Sequence, residues 1–237
     1  DVDRFNDRIR RKDEPRRQPL YDVQDAERTL PHLTTWRYDE VITIAEGITI
    51  KFVDAGHILG AASVQMVVQA GDRTVTIVFS GDVGVVGSPM LRDPVTPTPA
   101  DVVLLESTYG DRDHRSLAET RDELLEILRE AEATGSKVLI PAFAVGRTQD
   151  IVYHIGEFIR SGQLPPLSVY VDSPMAHAIS GVFEKHVAYL DNESQALRNH
   201  LGSIVSPPWL TFTQSVDESK AITSSAQPAI VLAASGT

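Results

Sequence analysis

Three apolar, β-rich runs of this chain each end in a short polar cluster that carries glycine. The clusters are Asp54-Ala55-Gly56-His57 followed by Gly60, then Ser80-Gly81-Asp82, then Glu106-Ser107-Thr108-Tyr109-Gly110. A strand that ends on glycine can turn sharply and bring its backbone close to a ligand. A carboxylate or imidazole placed there projects from the rim of a sheet rather than into its core. Three such rims, close in sequence, can build one site from one His and two acids, which are ligands suited to zinc or manganese.

The hydrophobic pattern around these clusters changes along the chain. From Val41 the period is two: Val41, Ile42 and Ile44 lead to Gly47, and Ile48, Ile50 and Phe52 alternate with Thr49 and Lys51. Val64, Met66 and Val68 predict the next strand, Ala70-Gly71-Asp72-Arg73 a hairpin turn, and Thr74 to Phe79 the return. This half reads as an antiparallel meander, and the Gly- and Pro-rich stretch 84–100 as a surface loop. From Asp101 strands alternate with helices. Val102 to Leu105 is a continuous apolar run, expected to be covered on both faces. Ser116 to Glu119 and Ser215 to Glu218 read as capping boxes, and Ser173-Pro174 as an N-cap with Pro at the first helical position. Helices are predicted after Ser116, over 148–159 and from Ser173 to about Tyr189. Strands are predicted over 137–142, 167–171, 209–213 and 229–234. That grammar is a parallel α/β unit.

Composition narrows the function. The 237 residues are enough for one large domain or two modest ones, and no apolar run approaches the length of a membrane span. With no cysteine there is neither a disulfide framework nor a thiolate metal site, which is compatible with a cytoplasmic location. The net charge of −11 argues against holding nucleic acid by bulk electrostatics, but not against a nuclease whose metals supply local positive charge. Residues 1–18 mix Arg and Lys with Asp and Glu, and read as a solvated helix face rather than a basic arm. The chain begins at Asp1 without an initiating Met, as an internal piece of a longer protein would.

Taken singly, His57 could be an ordinary hydrogen-bonded residue, Asp82 a turn former and Glu106 a partner of Arg112. Together with their flanks they carry a resemblance. Asp54-Ala55-Gly56-His57-Ile58-Leu59-Gly60-Ala61-Ala62, Phe79-Ser80-Gly81-Asp82-Val83-Gly84 and Glu106-Ser107-Thr108-Tyr109-Gly110-Asp111-Arg112 resemble successive motifs of the metallo-β-lactamase superfamily. The last of these is similar to its β-CASP branch, as are Pro141-Ala142-Phe143-Ala144-Val145-Gly146-Arg147-Thr148-Gln149 and Asp172-Ser173-Pro174-Met175-Ala176. That branch processes nucleic acids.

The resemblance implies an α/β chain: part of a metallo-β-lactamase αββα sandwich over residues 1–112, with an inserted parallel α/β β-CASP cap over 113–237. It implies that His57 is a metal ligand, that Asp82 bridges two zinc ions, and that Glu106 orients a catalytic His. Two metals sharing a carboxylate suit in-line attack on a phosphodiester. It implies metal-dependent RNA cleavage in a cleft between the two parts, with single-stranded RNA as partner. A homo-oligomer is compatible with it. Arg147, Ser173 and Ser235 are candidate substrate contacts, although Arg147 and Ser173 could equally secure the cap, and the same holds for His114. The family's His-x-His-x-Asp-His run and its final His motifs are absent from this sequence. They are expected before Asp1 and after Thr237. His32, His154, His177, His186 and His200 match none of them and read as surface or structural. Two ligands do not hold a dinuclear centre, so this chain alone is expected to be inactive and to bind zinc poorly. Two rivals stay open: a hydrolase of small phosphodiesters or esters, and a metal-free RNA-binding or scaffold member.

Overall fold

The computed structural model describes Val2, Asn6 and residues 17–234, so the expectations for the charged segment 1–18 and for Ser235 fall largely or wholly outside the described residues. Asp1–Arg37 and Tyr38–Thr237 form two compact units. In the first, α1 (Val23–Thr29) starts at Asp22, whose carboxylate accepts from the Asp25 N–H while the Asp25 carboxylate accepts from the Asp22 N–H. Pro31 lies in the short 3-10 helix Leu30–His32 that follows.

The second unit contains two sheets. The period-two segments form β1 (Val41–Ala45), β2 (Ile48–Asp54), β3 (Ala62–Ala70) and β4 (Arg73–Phe79), paired antiparallel in sequence order. The registers set Ile42 opposite Ile50, Phe52 opposite Val64 and Met66 opposite Ile77. β5 (Val102–Leu104) joins β4 in parallel. Two reversals and one parallel step make β2, β4 and β5 run the same way. Their C-terminal ends, at Asp54, Phe79 and Leu104, therefore lie on one rim.

β5 departs from expectation. It is the edge strand, paired with β4 alone, and Val102, Val103, Leu104 and Leu105 stand 46 to 71% exposed rather than covered on both faces. The apolar run correctly marked a strand; its covering cannot be read from the run itself.

The second sheet is all parallel, in the order β6 (Lys137–Pro141), β9 (Ala229–Ala233), β7 (Val169–Asp172), β8 (Leu210–Phe212). Its helices are α2 (Leu117–Thr134), α3 (Arg147–Arg160), α4 (Pro174–Lys185), α5 (Asn192–Leu201) and α6 (Val216–Ser224). Ser116 and Glu119 make a reciprocal capping box at α2, and Gly135 ends that helix in the left-handed conformation. At α6 the box is only half formed: the Ser215 hydroxyl accepts from the Glu218 N–H, but the Glu218 carboxylate takes the Gln214 N–H, one residue further out. α5 has no counterpart in the sequence reading. Its N-cap is Asp191, which accepts from the Ser194 N–H at 2.6 Å, and its polar surface hides the helical period.

Leu125 and Leu128 of α2 pack with Val152, Ile155 and Phe158 of α3 and with Val169, Val171, Ile230 and Leu232 of the sheet. A second cluster joins Tyr153, Phe183, Leu190, Ile204 and Val205 to Met90, which arrives from the 84–100 loop. Met90 is fully buried at φ 66°. Its carbonyl accepts from the Asp191 N–H at 2.9 Å, Leu91 bridges Leu190, and the Arg92 guanidinium donates to the carbonyls of Ala188 and Leu190. The loop read as a surface connection is thus a strap between the sheets.

Candidate functional site

The three polar clusters meet at the common rim of β2, β4 and β5. The His57 loop is pinned by the Asp54 carboxylate, which accepts from the Gly56 N–H at 3.0 Å, and by the Ala55 N–H bonded to the Ala61 carbonyl at 3.2 Å. It touches the Asp82 loop directly: the Gly84 N–H donates to the Ala55 carbonyl at 2.8 Å. The approach is so close that a Cβ on Gly84 would lie 1.9 Å from the Gly56 carbonyl oxygen. Gly81 is in the left-handed region at φ 58°, against the Ala62 carbonyl. The Asp82 and Glu106 loops are tied by three bonds. The Glu106 N–H donates to Ser80 Oγ at 2.9 Å, the Ser80 N–H to the Leu104 carbonyl at 2.9 Å, and the Val83 N–H to Glu106 Oε1 at 3.1 Å.

Glu106 is held below the usual carboxylate range, first by the Val83 N–H, then by the hydroxyl and N–H of Thr108, and by the charge of His57. It is an anion at neutral pH that braces the Asp82 loop through the Val83 N–H. Arg112 does not take the place of these partners: its guanidinium lies over the Tyr109 ring at 4.8 Å and 4.0 Å from Asp111. Tyr109 has φ 59°, a conformation costly for a residue with a side chain, and its ring meets His114 edge-on at 4.6 Å. His57 and Asp82 are both exposed on the rim.

The second sheet contributes from its own C-terminal rim, where β6 and β7 deliver Arg147 and Ser173. Gly146, at φ 78°, packs so that a Cβ would fall 2.8 Å from Ile58 Cγ2, beside His57. Asp150, in the first turn of α3, was not singled out by the sequence. Burial pushes its carboxyl up to about 6, against the charges of Arg147 and His57. Nothing in the sequence places Asp150 near a histidine ninety residues earlier; only the fold does. Arg147 is exposed, 3.9 Å from Asp150. Ser173 is buried, and its hydroxyl accepts from the Ala176 N–H at 3.2 Å, which makes it the N-cap expected from Ser173-Pro174. Its neighbour Asp172 accepts from the hydroxyls of Thr213 and Ser219. Among the remaining histidines, His154 is buried 3.4 Å from Glu157 and His177 stacks on Phe212 at 4.6 Å.

An imidazole and a carboxylate are zinc donors by chemistry, but zinc is held by three or four protein ligands. Among the described residues no group of three or more His, Asp and Glu side chains could hold a metal ion. The donors among the described residues therefore do not fit a zinc centre by themselves. Calorimetric titration of this chain with zinc is expected to give no tight stoichiometric binding; tight one-to-one uptake would mean that a further donor is recruited.

No helix among the described residues is long and apolar enough to cross a membrane. Residues 148–237 match the Beta-Casp domain family. Ribonuclease TTHA0252 of Thermus thermophilus is 38% identical over 219 residues, which is 92% of this chain and 49% of that protein. An RNase J-like protein of Methanocaldococcus jannaschii is 30% identical over 219 residues, 91% of this chain and 49% of that protein. Transcription termination factor FttA of Thermococcus kodakarensis is 31% identical over 226 residues, 92% of this chain and 34% of that protein. The chain spans half the length or less of these curated relatives. The matched domain over residues 148–237, the ribonuclease-type relatives and the mixed antiparallel and parallel sheets agree with one another, and all are consistent with the β-CASP branch of the metallo-β-lactamase superfamily.

Proposed function

We propose that this chain is the central portion of a metal-dependent hydrolase of RNA phosphodiester bonds. The observation that carries the reading is the convergence of the His57, Asp82 and Glu106 loops on one rim, locked by the Gly84–Ala55, Glu106–Ser80 and Val83–Glu106 hydrogen bonds. Relatives named as ribonucleases support it. In this proposal residues 1–112 belong to the metallo-β-lactamase part and 113–237 to the cap, and single-stranded RNA lies between them. His57 and Asp82 supply two donors towards a zinc centre whose other donors come from beyond the described residues. Glu106 acts as a positioning residue, holding the Asp82 loop through the Val83 N–H. Arg147, with its outward guanidinium, meets a phosphate oxygen by a charge-assisted hydrogen bond. A cytoplasmic location fits an RNA substrate, and assembly into a homo-oligomer is compatible with this arrangement.

A metal-free RNA-binding member is the second reading, favoured by the lack of a three-donor group among the described residues. One assay separates them: the whole protein is offered single-stranded RNA and a chromogenic phosphodiester, each with and without a chelator. We expect RNA to be cut, the chelator to abolish cutting, and the small diester to be turned over far more slowly. Preference for the small diester would indicate a small-substrate hydrolase. RNA binding without cleavage would indicate the scaffold.

A further inference from the structure

Between β6 and α3 the chain alternates in its exposure. Ala142, Ala144 and Gly146 are buried, while Phe143, Val145 and Arg147 face outward. Phe143 is 77% exposed, a whole aromatic ring left in water on the C-terminal rim of the parallel sheet. The loop beneath it is tightly held. The Thr148 N–H and hydroxyl both donate to the Phe143 carbonyl, at 3.1 and 2.8 Å. The Arg147 N–H donates to the Val145 carbonyl at 3.0 Å, and buried Gln149 donates to the Ala144 carbonyl at 3.2 Å. The inner side of the same loop seats Gly146 on Ile58, next to His57. A rigid frame thus presents an aromatic ring, a valine and a guanidinium outward, within one short loop of the candidate site.

We infer that Phe143 is a base-stacking residue for single-stranded RNA, with Arg147 on the neighbouring phosphate. This rests on the RNA reading above and names how the substrate is gripped. A chain of net charge −11 gains little from the counterion release on which basic surfaces rely. Affinity must then come from contacts that tolerate an acidic protein, and stacking of an unpaired base on a ring is such a contact. The ring's backbone is already fixed, so little ordering cost remains on binding. Duplex RNA hides its base faces and would gain nothing from the ring.

The test measures binding of fluorescently labelled single-stranded RNA to the whole protein carrying Asp82→Ala, so that the RNA stays intact. Phe143→Ala is expected to weaken binding by about 5- to 100-fold, and Phe143→Trp to stay within about threefold of the unsubstituted ring. Phe143→Ala should leave the salt dependence unchanged, whereas Arg147→Gln should flatten the log–log slope by about 0.7, one phosphate contact on a single strand. RNA with abasic riboses should bind the Phe143 protein as weakly as intact RNA binds Phe143→Ala. Equal affinity of Phe143 and Phe143→Ala proteins, in a protein whose parent cuts RNA, overturns the stacking role and leaves the hydrolase reading standing. A parent that neither binds nor cuts RNA overturns both.

Discussion

Asp82→Ala is expected to lower RNA cleavage by the whole protein by about a thousandfold or more, equivalent to about 4 kcal/mol of barrier. The carboxylate stands exposed at the head of a loop fixed on both flanks, by the Gly84 N–H to the Ala55 carbonyl and by the Val83 N–H to Glu106. Such placement exposes a charge that the fold itself does not need. Removing it should therefore leave the unfolding midpoint within about 0.5 kcal/mol of the parent, the usual range for a surface substitution away from caps and cores. The two readouts must separate: activity lost, stability kept. RNA cleavage retained by Asp82→Ala would refute the proposed site, and a matching loss of stability would make Asp82 a structural residue.

Gly84→Ala reverses that pattern. The added Cβ would lie 1.9 Å from the Gly56 carbonyl oxygen, 2.2 Å from its carbon and 2.7 Å from the His57 nitrogen. These are backbone atoms, with no flexible side chain to swing aside. Gly56 has no easy retreat, because its own far side is closed by Arg92 O and Pro94 N, 2.8 and 2.7 Å from where its Cβ would be. The His57 and Asp82 loops must part, losing the Gly84–Ala55 hydrogen bond. We expect a cost of about 3 kcal/mol or more, at the upper end for overpacked sites. In a domain of this size that lowers the melting temperature by roughly 10 °C. Activity should fall as well, even at temperatures where the protein stays folded. An unchanged melting temperature would show that the two loops separate freely.

These two glycines illustrate how far residue patterns alone could lead. The strands of the first sheet follow from alternation at Ile48, Ile50 and Phe52, and helices α2 and α4 from Ser116-x-x-Glu119 and Ser173-Pro174, because these are local signals with local causes. The adjacency of the loops that carry His57, Asp82 and Glu106 followed from three strand ends of one kind and from the directions of β2, β4 and β5. What escaped was non-local. Gly84 stood in the Asp82 motif and at the head of the 84–100 loop, but its role in setting the spacing between two site loops appears only in the fold. Asp150 is an ordinary first-turn acid until the fold sets it near His57. α5 escaped for a different reason: Asn192 to Leu201 carries polar residues around most of its circumference, and among them only Ser194 is buried. The exposed edge of β5 shows the limit of inferring cover from an apolar run.

Met90 gives the molecule an unexpected unit of inheritance. The segment that brings it into the core under α3 and α4 also closes over Gly56 through Arg92 and Pro94, and its Val95 N–H reaches the Asp54 carbonyl at 2.9 Å. A chimera that grafted the helical layer of one relative onto the meander of another, cutting after Leu104, would bring a donor pocket to a foreign plug. Residues 84–100 precede the parallel sheet in sequence yet form part of its packing, so a working graft must carry them along and must match the host at the His57 loop as well.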